Sequence, residues 1–294
     1  MIKKGVYAAS LSVLNENYSL NIEATISHAE NIINKGLHGV FFFGSTGQSQ
    51  LISISEKKDL ISKLATNKLR KQFFIGTGNN SLKDNIDLVK YAIEYGFQDF
   101  LIMPPAYYKS NSDDGIFKFY ETIITEVPKI RIILYNFEKL SGYMFSEDMV
   151  KKLVKSFPKN VIGCKDSSYN LYENLKLPNF LMFPGSEAKL LKGLELGCSG
   201  CISAVTNVTH EIARKVFDDF EKKSEQTVNK KLIFVRETFD QYNLISALHS
   251  FMSEENKSYA NLLPPLVLLS KQKQKELFLK LNNLKFLSKK NIAA

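Results

Sequence analysis

The sequence predicts an α/β fold, a closed (β/α)8 TIM barrel with a helical C-terminal extension. Three observations predict it. Eight short apolar runs alternate with amphipathic stretches of helical period. Most runs are almost continuously hydrophobic, as strands covered on both faces are. Their starts lie roughly 20 to 35 residues apart, room for one strand, one helix and two short loops. The competing architecture is an open doubly wound sheet, which often carries a glycine-rich turn after its first strand. Here the first strand runs into Ser12-Val-Leu-Asn-Glu-Asn17, with no Gly-x-Gly.

The first strand is Val6–Leu11. It follows Met1-Ile-Lys-Lys4, and a basic pair before an apolar run imitates a secretion signal. No small-residue cleavage site precedes Asn15, and a buried strand explains the run better. The helix Asn21–Lys35 places Ile22, Ile26, Ala29 and Ile33 on one face. After the second strand, Gly39–Gly44, the helix Ser55–Thr66 opens on Ser-Glu-Lys-Lys, a cap with a carboxylate in the first turn. The alternation continues with strand Phe73–Gly78, helix Leu82–Tyr95, strand Asp99–Pro104, helix Asp114–Glu126, strand Arg131–Phe137 and helix Ser146–Phe157. Strands Val161–Lys165 and Phe180–Gly185, helix Ala188–Gly197 and strand Gly200–Val205 complete it. From Glu211 onward the pattern is helical, with a break at Leu263-Pro-Pro265. The expected division is a barrel over 1–210 and an extension over 211–294 packed on it, with no Gly/Ser-rich linker between.

Composition narrows the function classes. With 44% hydrophobic and 23% charged residues the 294-residue chain is neither disordered nor fibrous. No apolar run reaches the ~20 residues of a membrane span. The net charge of +9 invites a nucleic-acid reading, yet only four residues are arginine, the side chain that carries most bidentate phosphate and base recognition. A solvated lysine-rich surface explains the charge, and neither nucleic acid nor membrane is expected as a partner. Three cysteines, an odd number in a long chain, suggest a reducing compartment, and the protein is expected to be cytoplasmic.

In such barrels the reactive groups stand at the C-terminal ends of strands. Lys165 ends the apolar run Val161-Ile-Gly-Cys164. It is either a lysine reaching into solvent or a Schiff-base lysine. The second role needs a neutral amine, which desolvation in a barrel mouth favours. Its iminium would draw electrons from the neighbouring carbon and stabilise an enamine. Tyr135 ends the adjacent strand and could shuttle protons, or simply sit at the rim. Gly44-Ser-Thr-Gly47 is an ordinary turn, or a nest of N–H groups and hydroxyls for a carboxylate. Cys198-Ser-Gly-Cys201 is a Cys-x-x-Cys, but the four histidines offer no spacing for further zinc ligands. No metal site is expected, which also weakens a metal-dependent aldolase reading.

Taken in order and spacing, these residues resemble the dihydrodipicolinate synthase / N-acetylneuraminate lyase family of class I Schiff-base lyases. The resemblance runs from Gly5 to about Leu284. It rests on Gly5-Val-Tyr-Ala-Ala-Ser-Leu11, Phe43-Gly-Ser-Thr-Gly-Gln48, Leu134-Tyr-Asn-Phe137, Gly163-Cys-Lys-Asp-Ser167, Pro184-Gly-Ser-Glu187 and Gly200-Cys-Ile-Ser-Ala204. It implies that Lys165 forms a Schiff base with pyruvate or another 2-keto acid and that Tyr135 relays protons. Ser45 and Thr46 would bind the carboxylate, with Thr46 also a candidate for the relay. Tyr108, or its neighbour Tyr107, would match a tyrosine lent across a dimer interface. Gly185 and Ile202 would line the pyruvate pocket, and Ser167, Glu187 and Ser203 would face the variable substrate. It further implies a homotetramer with no cofactor beyond the lysine itself.

Departures bear on the second substrate. Dihydrodipicolinate synthases usually carry arginine in Tyr-Asn-x-Pro-x-Arg-Thr-Gly, where this chain has Tyr135-Asn-Phe-Glu-Lys-Leu-Ser-Gly142. The arginine position is Leu140, and Leu-Ser-Gly is closer to the neuraminate lyases. Their Asp-Glu pair near strand seven is here Glu187-Ala188, and Gln48 replaces a usual glutamate. The expected activity is a carbon-carbon lyase acting on a 2-keto-3-deoxy sugar acid or neuraminate-like substrate. The alternatives are dihydrodipicolinate synthesis from pyruvate and aspartate semialdehyde, and a non-catalytic barrel that binds a keto acid.

Overall fold

The computed structural model describes residues 1–287, and the end of the expected extension, 288–294, lies outside the described residues. Eight parallel strands make the wall: β1 (Gly5–Ala9), β2 (Gly39–Phe42), β3 (Phe73–Gly76), β4 (Asp99–Ile102), β5 (Arg131–Asn136), β6 (Val161–Asp166), β7 (Leu181–Pro184) and β8 (Gly200–Ser203). They are bonded in the order β7-β6-β5-β4-β3-β2-β1-β8. The two ends meet where the Ser199 N–H donates to the Met182 carbonyl of β7 at 2.7 Å. This is the (β/α)8 TIM barrel, with every expected strand run present in it.

The strands alternate in what they bury. Side chains turned inward fill the barrel with Tyr7, Phe41, Phe74, Leu101, Phe183 and Ile202. Phe41 and Phe74 stack at 5.0 Å, and Tyr7 meets Phe183 edge-on at 5.8 Å, so the interior is a packed aromatic floor and not a pore. Side chains turned outward form a second, larger core against the surrounding helices.

Those helices are α1 (Ile22–Asn34), α2 (Ile54–Ala65), α3 (Leu82–Glu94), α4 (Asp113–Glu126), the single turn α5 (Glu138–Ser141), α6 (Glu147–Ser156), α7 (Leu190–Glu195) and α8 (Thr206–Glu221). Helix α2 begins earlier than its Ser55 suggested. Ser53 is the cap, because Ser53 and Glu56 close a reciprocal capping box that a start at Ser55 could not make. Between β6 and β7 the chain forms turns and no helix. The expected division at 210/211 falls inside α8, which continues the barrel: Thr206 Oγ1 donates to the Tyr7 carbonyl and Asn207 Nδ2 to that of Ala9, at 3.1 and 2.8 Å.

Beyond it lie α9 (Asn229–Asp240), α10 (Leu244–Glu255) and α11 (Lys271–Asn283). They share an apolar cluster with Leu11 and Val13 of the loop after β1. A buried polar chain ties the same parts together. His28 Nε2 donates to Asn207 Oδ1 at 2.8 Å, the Tyr259 hydroxyl donates to His28 Nδ1 at 2.9 Å, and His249 Nδ1 donates to the Tyr259 carbonyl at 2.9 Å. Asn207 Nδ2 is occupied with the Ala9 carbonyl, so Asn207 Oδ1 faces His28 and the hydrogen of that bond is assigned to His28 Nε2. No described helix is long and apolar enough to cross a membrane.

Burial pushes both histidines down to about 4, against the opposing pull of the Asn207 and Tyr259 oxygens. A depressed histidine keeps its full stabilisation above its unfolded value and loses it as pH falls toward the folded one. Lowering the pH from 6.5 to 5 is therefore expected to cost about 3 kcal/mol for the pair. Urea unfolding at the two pH values checks this as a lower bound, because burial also lowers His38 and His210, and an unchanged midpoint would contradict the buried neutral pair.

Candidate active site

Strand register builds the site. Along β5 and β6 Ile132 pairs with Val161 but Ile133 pairs with Gly163, so β6 carries one extra residue at Ile162. Beyond this bulge Tyr135 lies beside Lys165 and Asn136 beside Asp166, and Lys165 is flanked on its other side by Phe183 of β7. Residues in register on parallel strands share a face. Tyr135 and Lys165 both point inward, above the aromatic floor.

Lys165 is 3% exposed, and its Nζ stands 4.2 Å from the centre of the Tyr135 ring. No carboxylate pairs with it among the described residues. The Tyr135 and Ser45 hydroxyls share a hydrogen bond of 2.9 Å. Ser45 opens a tight turn, Ser45–Gly47, that follows β2. The Gly47 N–H returns to the Gly44 carbonyl, leaving the Ser45 and Thr46 N–H groups at the start of the turn without partners inside it. An amine, a phenol, a hydroxyl and two backbone donors thus meet at one strand-end layer. Gly185, just after β7, packs against Ser167: a Cβ there would lie 2.0 Å from Ser167 Oγ, so any side chain would collide. Ile202 is part of the inner floor.

The outward pair holds these groups in place. Asp166 is fully buried and accepts from Asn136 Nδ2 at 2.8 Å and from the N–H groups of Tyr169, Leu171 and Tyr172, each at 2.9 Å. Four donors on one carboxylate fix the chain after β6 as turns. Asn136 in turn accepts from the Phe145 N–H at 3.1 Å and donates to Asn170 Oδ1 at 2.8 Å. Neither residue stood out in the sequence as more than a neighbour of the reactive pair.

Other expected site residues lie elsewhere. Glu187 and Ser203 are fully buried and bonded to each other, to Thr209 and to Arg236 of α9. Arg236 Nη1 lies 3.0 Å from Glu187 Oε2 and 2.9 Å from Ser203 Oγ, while its Nε reaches Asp240 at 2.9 Å. Burial works against the charge on Arg236, but the Glu187 and Asp240 carboxylates outweigh it and hold the guanidinium above its ordinary value. A carboxylate spent on a buried arginine is not a free reader of substrate hydroxyls. Thr46 is buried in the turn, but the phenol's partner is Ser45. Tyr107 and Tyr108 are 81% and 74% exposed and do not reach Tyr135 within the chain. Cys198 and Cys201 are both buried and free, and burial raises both thiols, Cys198 to about 11. Such thiols are unreactive at neutral pH.

Gln48 takes an unanticipated part. It is buried with φ 56°, and its Oε1 accepts from the Leu263 N–H at 2.8 Å, tethering the segment after α10 to the turn that carries Ser45. Beside Ser45 and Tyr135 opens a cavity of about 220 Å³, on whose wall Leu140 sits.

The sequence pattern described as the Dihydrodipicolinate synthetase family matches residues 3–284. The chain belongs to this family. It is 31% identical over 224 residues to the N-acetylneuraminate lyase of Haemophilus influenzae, covering 73% of this chain and 74% of that one. The dihydrodipicolinate synthase of Agrobacterium tumefaciens superposes with a TM-score of 0.87 at 25% identity, over 96% of this chain and 99% of that one. A prophage protein of the same family from E. coli K12, solved in complex with pyruvate, superposes with a TM-score of 0.87 at 21% identity, covering 98% and 100%. Family membership makes this protein a carbon-carbon lyase.

The Asp166 latch makes a stability prediction. Asp166→Ala leaves three backbone N–H groups, those of Leu171 and Tyr172 buried and that of Tyr169 half-buried, and the Asn136 amide without their acceptor. The loss is expected to be about 3 kcal/mol or more, measured by urea denaturation. A loss below about 1 kcal/mol would mean that water replaces the carboxylate.

Proposed function

We propose that the protein makes or breaks the carbon-carbon bond between pyruvate and an aldehyde through a Schiff base on Lys165. The observation that carries this reading is the register that sets Lys165 against Tyr135, with the phenol bonded to Ser45. The Lys165 amine attacks the ketone carbon of pyruvate and water leaves, giving an iminium. A methyl proton is lost to solvent water, giving the enamine, whose carbon attacks the aldehyde. The aldehyde oxygen takes a proton from the Tyr135 phenol, which Ser45 resupplies. Water then hydrolyses the iminium, releasing a 4-hydroxy-2-oxo acid and the free amine. Cleavage is the same path reversed. No oxidant, metal or separate cofactor enters these steps.

The Ser45 and Thr46 N–H groups and the Thr46 hydroxyl are assigned to the pyruvate carboxylate, with Gly185 and Ile202 lining its pocket and Ser167 beside it. The relay position expected of Thr46 passes to Ser45, whose hydroxyl meets the phenol. Two large rings left as exposed as Tyr107 and Tyr108 suit an interface. We assign Tyr108, or Tyr107, to the site of a second copy in a homotetramer. Three buried free thiols support a cytoplasmic setting.

The narrower expectation of a 2-keto-3-deoxy sugar acid or neuraminate-like substrate draws support from the name of the Haemophilus relative. It loses the contribution expected of Glu187 and Ser203, which Arg236 occupies. Dihydrodipicolinate synthesis is no better supported, because Leu140 offers no cation to a second carboxylate. A barrel that only binds a keto acid has no use for an amine set against a phenol.

Borohydride reduction in the presence of pyruvate, read by peptide mass spectrometry, tests the reading. The expected result is a reduced adduct on Lys165, absent from Lys165→Ala. Tyr135→Phe is expected to keep the adduct and to slow turnover by about 10²- to 10⁴-fold. A folded protein with no adduct would overturn the proposal.

A further inference from the structure

The geometry points to an aldehyde partner with an apolar tail, an inference that deepens the pyruvate reading and rests on it. The cavity beside Ser45 and Tyr135 is walled by Leu51, Met103, Ala106, Leu140, Ile245 and Leu266. They converge from separate parts of the chain: the turn after β2, the loop after β4, α5, the start of α10 and the segment that follows it. Among the described residues no lysine, arginine, aspartate or glutamate lines the space. Of its polar side chains, Ser45 and Tyr135 are bonded to each other and the Gln48 carbonyl is turned to Leu263, while Gln48 Nε2 is a buried donor without a partner. Ser49 and Gln50, both from one short turn, complete the set.

The groups that would read a polar tail are held elsewhere. Glu187 and Ser203 are closed off by Arg236, and the position next to the phenol on α5 is Leu140. An anionic tail entering this cavity would lose hydration and meet no cation. A polyhydroxyl tail finds one unpaired buried donor, Gln48 Nε2, and the side chains of Ser49 and Gln50, all on one wall, so the hydroxyls facing the apolar walls stay unpaired. An alkyl or aryl tail loses nothing polar, and each methylene it buries is worth about fourfold in kcat/KM. The product is then a 4-hydroxy-2-oxo acid with an apolar substituent on C4, formed from pyruvate and aldehyde with no change in oxidation level overall.

The experiment uses the full chain, pyruvate, and four aldehydes: butanal, hexanal, glyceraldehyde and succinic semialdehyde. Pyruvate trapping on Lys165 is run alongside. Hexanal is expected to exceed butanal, and to exceed glyceraldehyde and succinic semialdehyde by roughly tenfold or more in kcat/KM. Leu140 is 38% exposed, so Leu140→Arg is compatible with the fold. It is expected to lower the ratio of hexanal to succinic semialdehyde by about tenfold. If pyruvate is trapped but the polar aldehydes are used as well as hexanal, or no aldehyde is used, the apolar assignment fails and the Schiff-base reading stands. A ratio unmoved by Leu140→Arg also overturns it. If pyruvate is not trapped, both readings fall together.

Discussion

One extra residue in β6 decides what the barrel can do. Below the bulge Ile132 pairs with Val161, an offset of 29; above it Ile133 pairs with Gly163, an offset of 30. At the lower offset Tyr135 would sit beside Cys164, and Lys165 would pair with Asn136 on the outward face. The amine would then be buried among the helices, and the latch carboxylate of Asp166 would be turned into the barrel. Because side chains alternate with period two, a one-residue slip exchanges the entire set. The bulge therefore places the reactive pair inward and the holding pair outward in one step.

The same alternation explains why a site of this kind is rigid. Tyr135 and Lys165 are each one bond removed from a residue locked outside the barrel, Asn136 and Asp166. Backbone N–H donors on Asp166 replace what a helix would otherwise supply between β6 and β7. Inside, the two groups stand above the inner aromatic cluster in which Phe41 and Phe74 stack. Phenol, hydroxyl and amine are thus placed before substrate arrives, which is where much of a catalytic site's advantage originates.

The barrel was legible because buried parallel strands write themselves as apolar runs, and a lone lysine ending such a run is conspicuous. What could not be read depends on partners distant in sequence. Glu187 looks like an open polar strand end until Arg236 arrives from a helix 49 residues later. Nothing in the local sequence of α9 marks Arg236 as a buried counterion, since its next turn supplies Asp240 for an ordinary surface pair. Ser45 and Thr46 are adjacent hydroxyls of one turn, and only the turn's geometry decides which meets the phenol. Ser53 and Ser55 posed the same problem at the start of α2, where the reach of Glu56 chose the former. The loop after β6 escaped because the cause of its shape, a single aspartate with four donors, leaves no periodic trace.

The C-terminal extension emerges as part of the site and not as a bystander. Its Leu263 N–H is held by Gln48, next to the turn that carries Ser45; Arg236 neutralises the strand-seven carboxylate; Ile245 and Leu266 supply one wall of the cavity. The barrel strands contribute the amine, the phenol and the nest of donors, all within the inner layer. The extension adds Ile245 and Leu266 to a cavity wall whose other apolar residues, Leu51, Met103, Ala106 and Leu140, come from the barrel's loops and α5. On the proposed reading the chemistry belongs to the barrel strands, and the acceptor's wall is shared between barrel loops and extension. On that reading, substitutions at Ile245 or Leu266 change the wall that meets the aldehyde and leave the register of β5 and β6 untouched.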